Sequence, residues 1–279
     1  ELNVAVGVAL LGLRTGVISK LPSHDMGSFM KGKIRSYGVS DDFFMYDDSP
    51  SARVGIYYYE NGAYPRKPKV IYDRANSSFY SLKIDEIPEK AYTASRCFHT
   101  SGITLALSPK VRETAIEMIK RFKAAGTLVS FDVNFRGNLW TGEEAKECIE
   151  QILPYVDIFF CSEDTARLTF KKTGTAREMM KSFTEEYPIS IVASTQRIVH
   201  SPKSHTFGSI IYDARKDIYY EEEPYRDIDV VDRIGSGDAY ISGALYGLLT
   251  SDFDCEKAVR YGNATSAVKN TIPGDLPSS

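Results

Sequence analysis

Asp232-Arg233-Ile234-Gly235-Ser236-Gly237-Asp238-Ala239-Tyr240 sets two glycines around a serine, with an aspartate directly after them. Ile241, Ala244, Leu245 and Leu248 follow at helical spacing, so the glycines open a helix. Glycines at a helix start let backbone N–H groups approach an anion, and the helix dipole favours negative charge there. Asp238 falls in the first turn, beside the anion. That arrangement suits phosphoryl transfer to a hydroxyl: the carboxylate takes the hydroxyl proton while the N–H groups hold the moving group. Gly-x-Gly alone is equally a tight turn with an Asp cap. The segment is not a dinucleotide fingerprint, for it lacks a third glycine at the required offset. Nor is it a P-loop, for it lacks Gly-Lys-Ser/Thr.

Other polar groups stand where strands are expected to stop. Ser130-Phe131-Asp132-Val133 runs into Asn134-Phe135-Arg136-Gly137-Asn138-Leu139-Trp140, and Arg136 offers a planar fork that fits a carboxylate or vicinal oxygens. Arg74 closes a β-prone run just after Tyr72, and Ser101-Gly102-Ile103 ends another strand. Pro273-Gly274-Asp275 follows the last helix. Two arginines among tyrosines suit an acidic sugar better than a neutral one. Each of these residues also has an ordinary reading, as a solvated arginine or a surface turn.

The elements that must position them read as an α/β domain. Asn3 to Leu13 is a buried helix, Thr15 to Ser19 a strand and Asp25 to Tyr37 an amphipathic helix. From Cys97 strands and helices alternate, with strands at 97–100, 128–133, 156–160 and 189–193 and helices at 108–126, 143–152 and from Glu163. A hairpin at 210–213 and 218–222 precedes the Gly235 helix, and a last helix covers Cys255 to Lys269. Such alternation argues a mostly parallel sheet covered on both faces, with ligands beyond the carboxyl ends of its strands. Residues 41–82 differ: Tyr46, Tyr57, Tyr58, Tyr59, Tyr64, Tyr72 and Tyr80 crowd two β-prone runs, Val54 to Tyr59 and Lys69 to Arg74, around a turn at Asn61-Gly62-Ala63-Tyr64-Pro65. They read as a β lid, 41–82, on a core formed by 1–40 and 83–279.

With 279 residues and a net charge of −3, the chain shows no nucleic-acid footprint and no polybasic membrane patch. No apolar run reaches the length of a membrane span. Cys97, Cys148, Cys161 and Cys255 form no Cys-x-x-Cys pair and read as reduced cytoplasmic thiols, and His24, His99, His200 and His205 make no zinc set.

Taken together, the motifs resemble the ribokinase-like (PfkB) carbohydrate kinases. Asp232 through Ala244 resembles the C-terminal signature of that family, with Ser236 where alanine is usual. Phe131-Asp132-Val133-Asn134-Phe135-Arg136 with Leu139-Trp140, His99-Thr100-Ser101-Gly102-Ile103 with Leu107-Ser108, and Asn3-Val4-Ala5 are similar to its 2-keto-3-deoxygluconate kinase branch. The resemblance spans essentially the whole chain. It implies a three-layer αβα sandwich with a mostly parallel central sheet and a small β-sheet lid. It also implies that a full-length member carries about thirty more residues before Glu1, including a first core strand, a lid strand and a glycine pair.

The resemblance further implies roles. Asp238 is the base, and Gly235, Ser236 and Gly237 form the anion hole. Arg136 and Arg74 hold the carboxylate, Tyr57 and Tyr72 line the lid side with Ile103 below, and Asp275 binds sugar hydroxyls. Asn263 sits near the adenine, and Ser194 and Gln196 fall on the nucleotide side, where relatives have Thr-x-Gly-x-x-Gly and this chain has Ser194-Thr195-Gln196-Arg197-Ile198 with a longer insertion to Gly208. ATP and Mg²⁺ are the implied cofactors. The metal ligands stay open, because Ser162-Glu163-Asp164-Thr165 stands where relatives carry Asn-x-x-Glu. The expected reaction is phosphorylation of 2-keto-3-deoxygluconate at its terminal hydroxyl. A neutral sugar such as fructose or ribose, or sugar-acid binding without catalysis, are the alternatives. A homo-oligomer joined through the lid is expected.

Overall fold

The computed structural model describes all residues except 61, 63, 64, 67, 278 and 279. Tyr64 and most of the turn expected at 61–65 therefore lie outside the described residues.

Ile158-Phe159-Phe160 shows how the central sheet is buried. This strand, β7, follows β5 (Cys97–Ser101) and β6 (Leu128–Asp132) and is parallel to β6, as β6 is to β5. Its side chains alternate in direction, yet none is more than 4% exposed. Phe159 packs with Phe131, Met180 and Phe183 in one cluster, while Ile158 and Phe160 pack with Val4, Tyr240 and Val259 in another. A strand apolar on both faces needs helices on both. The first cluster is covered by α4 (Pro109–Ala124), α5 (Gly142–Glu150) and α7 (Ala176–Glu186), the second by α1 (Leu2–Leu10), α8 (Ser236–Thr250) and α9 (Cys255–Asn270). Two short helices, α3 (Gly102–Ala106) and α6 (Glu163–Leu168), start just beyond β5 and β7. The three layers are those the resemblance implied.

The sheet is mostly parallel, as expected, and mixed through one reversed strand. β8 (Ile191–Ser201) continues the parallel set beside β7, but β9 (Ser204–Asp213) is antiparallel to it. β10 (Ile218–Glu221) and β11 (Tyr225–Asp229) both pair antiparallel with β9. The stretch expected as an insertion is the far end of the β8–β9 hairpin. Pro202 and Lys203 turn the chain there, and Ile198 and Val199 stay 59% and 53% exposed.

Outside this sheet, β1 (Thr15–Pro22), α2 (Asp25–Ser36) and β2 (Val39–Asp47) form a parallel two-stranded unit. β2 thus pairs with β1 and not with the tyrosine-rich hairpin. That hairpin, β3 (Ile56–Glu60) and β4 (Lys69–Asp73), is a sheet of its own. Tyr57 lies opposite Tyr72 on one face, and Tyr58 opposite Ile71 on the other.

α8 and α9 pack backbone to backbone. A Cβ added at Gly243 would lie 2.4 Å from the Tyr261 carbonyl oxygen, and one at Gly247 would lie 2.6 Å from Ala258 Cα. The ring of Tyr240, 1% exposed, fills the space beside Gly262.

Candidate active site

The carboxyl ends of β6 and β7 and the first half of β8 meet the start of α8 around a cavity of about 220 Å³, lined by Asp132, Asn134, Ser162, Thr165, Thr195 and Gly237 among others. Each wall has a local cause. Gly235 caps α8 at φ 75, a left-handed conformation that a side chain disfavours. It also touches the C-terminal loop so closely that a Cβ would sit 1.9 Å from the Asp275 carbonyl oxygen. The first N–H groups of α8 lack acceptors within their own helix and form the dipole's positive end. Open space surrounds Gly237 where a side chain would stand. At the end of β5, Gly102 fits against the Val133 carbonyl, where a Cβ would lie 2.1 Å away, and so brings Ile103 to the same edge. The Glu1 carboxylate accepts from Ser101 N–H at 2.9 Å and Thr104 Oγ1 at 2.6 Å, fixing α1 to this junction.

Asp238 is half-buried, and Asn3 Nδ2 donates to its Oδ2 at 2.8 Å. Asp132 Oδ1 accepts from the Asn134 N–H at 3.1 Å. Burial, and then the charge of Asp238, push the Asp132 carboxyl up to about 7. Two carboxylates that repel each other at a strand end mark a place where a proton or a cation is welcome.

The lid reaches the same edge. Tyr57 Oη donates to Asp275 Oδ2 at 2.8 Å, and burial together with that bond raises the phenol above its ordinary range. Tyr57 and Tyr72 have ring centroids 6.2 Å apart, and the Arg74 guanidinium lies 4.2 Å from the centre of the Tyr72 ring. Tyr57, Tyr72, Arg74, Asp275 and Gly235 therefore form one connected wall. Arg136 is exposed on the loop after β6, close enough for its charge to act on Asp132.

The residues expected on a nucleotide side are placed differently from one another. Ser194 is 2% exposed with no partner for its hydroxyl, and Gln196 is exposed. Neither lines the cavity; Thr195, between them and facing the other side of β8, does. Asn263 is wholly buried between α9 and β9, where its Oδ1 accepts from Ser209 Oγ at 2.7 Å, so it is not exposed to an adenine. Arg197, two residues beyond Thr195 on the same face, is exposed at its surface, yet crowding by neighbouring atoms and the charge of Arg233 hold it below its usual range. Asp132, Asn3, Thr195, Arg197 and Arg233 were not singled out from the sequence. Asp132 ends a strand in a quoted motif, and that was the available signal.

Ser162 and Thr165 line the cavity but bond to each other, Oγ to Oγ1 at 2.9 Å, and Ser162 caps α6. Glu163 is paired with Arg167 at 2.8 Å. Among the described residues no group of three or more His, Cys, Asp or Glu side chains is placed to hold a metal ion. No helix of the described residues is long and apolar enough to cross a membrane.

Comparison with known proteins gives the same direction. Residues 1–277 match the family model for pfkB family carbohydrate kinases. A 2-dehydro-3-deoxygalactonokinase of Haloferax volcanii is 34% identical over 276 residues, covering 99% of this chain and 82% of that protein. A 2-dehydro-3-deoxygluconokinase of Bacillus subtilis is 28% identical over 282 residues, covering 99% and 81%. The crystal structure of a 2-dehydro-3-deoxygluconokinase from Thermotoga maritima superposes with a TM-score of 0.92 at 31% identity, covering 99% of this chain and 84% of that one.

Proposed function

The chain belongs to the pfkB family of carbohydrate kinases, and from that premise we propose that it transfers the γ-phosphoryl group of ATP to the terminal hydroxyl of a 2-keto-3-deoxy sugar acid. 2-Keto-3-deoxygluconate, giving the 6-phosphate, is the first acceptor to test. Its C4 epimer is the second, because the Haloferax relative is named for it. The observation that carries the reading is Asp238 in the first turn of α8, beside the open backbone at Gly237 and bonded by Asn3.

In this reading Asn3 occupies Asp238 Oδ2 and leaves Oδ1 to take the proton of the attacking hydroxyl. The N–H groups of Gly235, Ser236 and Gly237 hold the transferring phosphoryl oxygens. Arg74 and Arg136 pair with the sugar acid's carboxylate, and Ile103 supports the apolar side of the ring or chain. Tyr57 and Tyr72 cover the acceptor from the lid, and Asp275 accepts from its hydroxyls. Closing β3 and β4 over the site would keep water from the phosphoryl group. On the nucleotide side, Thr195 and Arg197 face the phosphates, Gln196 flanks them from the other face of β8, and Ser194 and Asn263 shape the wall from within. ATP brings Mg²⁺, a hard cation that neutralises phosphate charge. With Ser162, Thr165 and Glu163 engaged elsewhere, the described residues would offer that cation few ligands, and phosphate oxygens and water would have to supply most of them.

Tyr58 and Ile71, 58% and 54% exposed on the outer lid face, support pairing with a second copy through the lid. Four free thiols fit a cytoplasmic protein. The test is ATP consumption with each epimer and with fructose or ribose, for the protein and its Asp238→Asn variant. A loss of about a hundredfold in kcat, with ATP affinity retained, is expected for the variant. Equal turnover of neutral sugars would remove the sugar-acid reading, and near-normal turnover of a folded variant would remove the base.

A further inference from the structure

Two loops must keep register for the anion hole to exist. One, residues 231–235, enters α8; the other, residues 271–275, leaves α9. The N–H groups of Val231 and Asp232 donate to the Asn270 carbonyl at 2.8 and 3.2 Å. The Asp232 carboxylate accepts from Ile234 N–H at 3.0 Å and from Gly274 N–H at 3.2 Å. Between the loops stands Lys269, in the last turn of α9 and 0% exposed. Its Nζ donates to the main-chain carbonyls of Asp232 and Ile272, 3.1 Å each.

Lysine is among the residues least often fully buried, since its ammonium gives up strong hydration. Here the compensation is local. Two carbonyls accept from the ammonium, the α9 carbonyl end favours positive charge, and the carboxylates of Asp232 and Asp275 act on it as well. Burial pulls the group below its usual range while those two carboxylates pull it back. A cation set among backbone carbonyls and carboxylates, and bridging two loops, has the bonding of a small bound monovalent ion. The difference is that this one is tethered to the chain.

We propose that Lys269 is a built-in cation that positions the anion hole and Asp275, so that the protein needs no free monovalent ion to order these loops. What the ordered loops then do rests on the kinase reading above; the bracing itself does not. Lys269 is thus a positioning residue: it acts through the carbonyls of Asp232, three residues before Gly235, and of Ile272, three before Asp275.

The experiment compares the full chain with Lys269→Ala in chlorides of sodium, potassium, ammonium and tetramethylammonium at equal ionic strength. Both kcat and, without substrate, the Tm are read. The unaltered protein should show the same kcat and Tm in all four salts. In tetramethylammonium, Lys269→Ala should lose roughly tenfold or more in kcat, the scale of one charged hydrogen bond, with a smaller change in KM for the sugar acid. Ammonium or potassium should restore part of both kcat and Tm in a saturable way, which a void left by a merely structural side chain would not show. The Tm arm decides the bracing even if the protein turns over no sugar acid, so the two readings fail separately. A folded Lys269→Ala protein that is fully active and indifferent to the salts would overturn the proposal. So would activation of the unaltered protein by potassium or ammonium over tetramethylammonium. If the variant folds in no salt, the series on the unaltered protein decides alone.

Discussion

Replacing Gly235 by alanine adds one methyl group at the point where the start of α8 meets the C-terminal loop. The backbone there has φ 75, and holding an alanine in that conformation costs about 1–2 kcal/mol. The new carbon would stand 1.9 Å from the Asp275 carbonyl oxygen, whereas real Cβ contacts begin at 3.0 Å, so one partner must retreat by the difference, 1.1 Å. That loop carries the Asp275 carboxylate bonded to Tyr57, so the lid shifts with it. A misplacement of about one ångström at a reacting centre costs about a hundredfold in rate. The expected result is a folded protein whose Tm falls by about 2–8 °C and whose kcat falls about a hundredfold. Thermal melting followed by ATP consumption at saturating sugar acid separates the two effects. Turnover within about threefold of the unaltered protein, less than 1 kcal/mol of barrier, would refute the close-approach reasoning.

Asp132 binds its proton more tightly when folded, so the folded state holds the extra proton between about pH 4 and pH 7 and stability falls as pH rises through that window. Asp132→Asn should flatten this slope in Tm measured across the same range; an unchanged slope would place the titrating group elsewhere. Arg136→Met should weaken sugar-acid binding by about 2–3 kcal/mol and a neutral sugar much less, as read by calorimetry; equal losses would make Arg136 a support of its loop. Sugar acid should protect the amides of β3 and β4 from hydrogen exchange, while ATP alone should protect mainly residues from Gly235 onward. Unchanged exchange in both strands at saturating sugar acid would leave the tyrosines as a structural or subunit surface.

The central layers were legible because Phe131, Ile158, Phe159 and Phe160 leave no polar face on which a strand could meet water. β2 was not, since Ser40-Asp41-Asp42 hides its pattern, and Asp41 is instead paired with Lys31 at 3.1 Å. The β8–β9 hairpin was not, because exposed Ile198 and Val199 break the alternation expected of a half-buried strand. Of the candidate site, the helix start at Gly235 to Asp238 could be read from spacing alone. The Asn3–Asp238 bond joins residues 235 positions apart, which no local pattern reports. Lys269 reads in sequence as one more surface lysine; only the packing of α9 shows it to be wholly enclosed.

The backbone contact between α8 and α9 reverses a common rule of protein engineering. Glycine inside a helix is ordinarily a first choice for replacement by alanine, worth about 0.4–1 kcal/mol of added stability where the site tolerates it. At Gly243 and Gly247 the new methyl group would strike Tyr261 or Ala258 and wedge the helices apart. Gly243 lies eight residues from Gly235, about 12 Å along the axis, so the wedge would act as a lever on the N-terminal end of α8, where the proposed anion hole lies. A library selected for heat resistance should therefore be depleted of changes at these two positions, and any survivor there should lose turnover before it loses its fold.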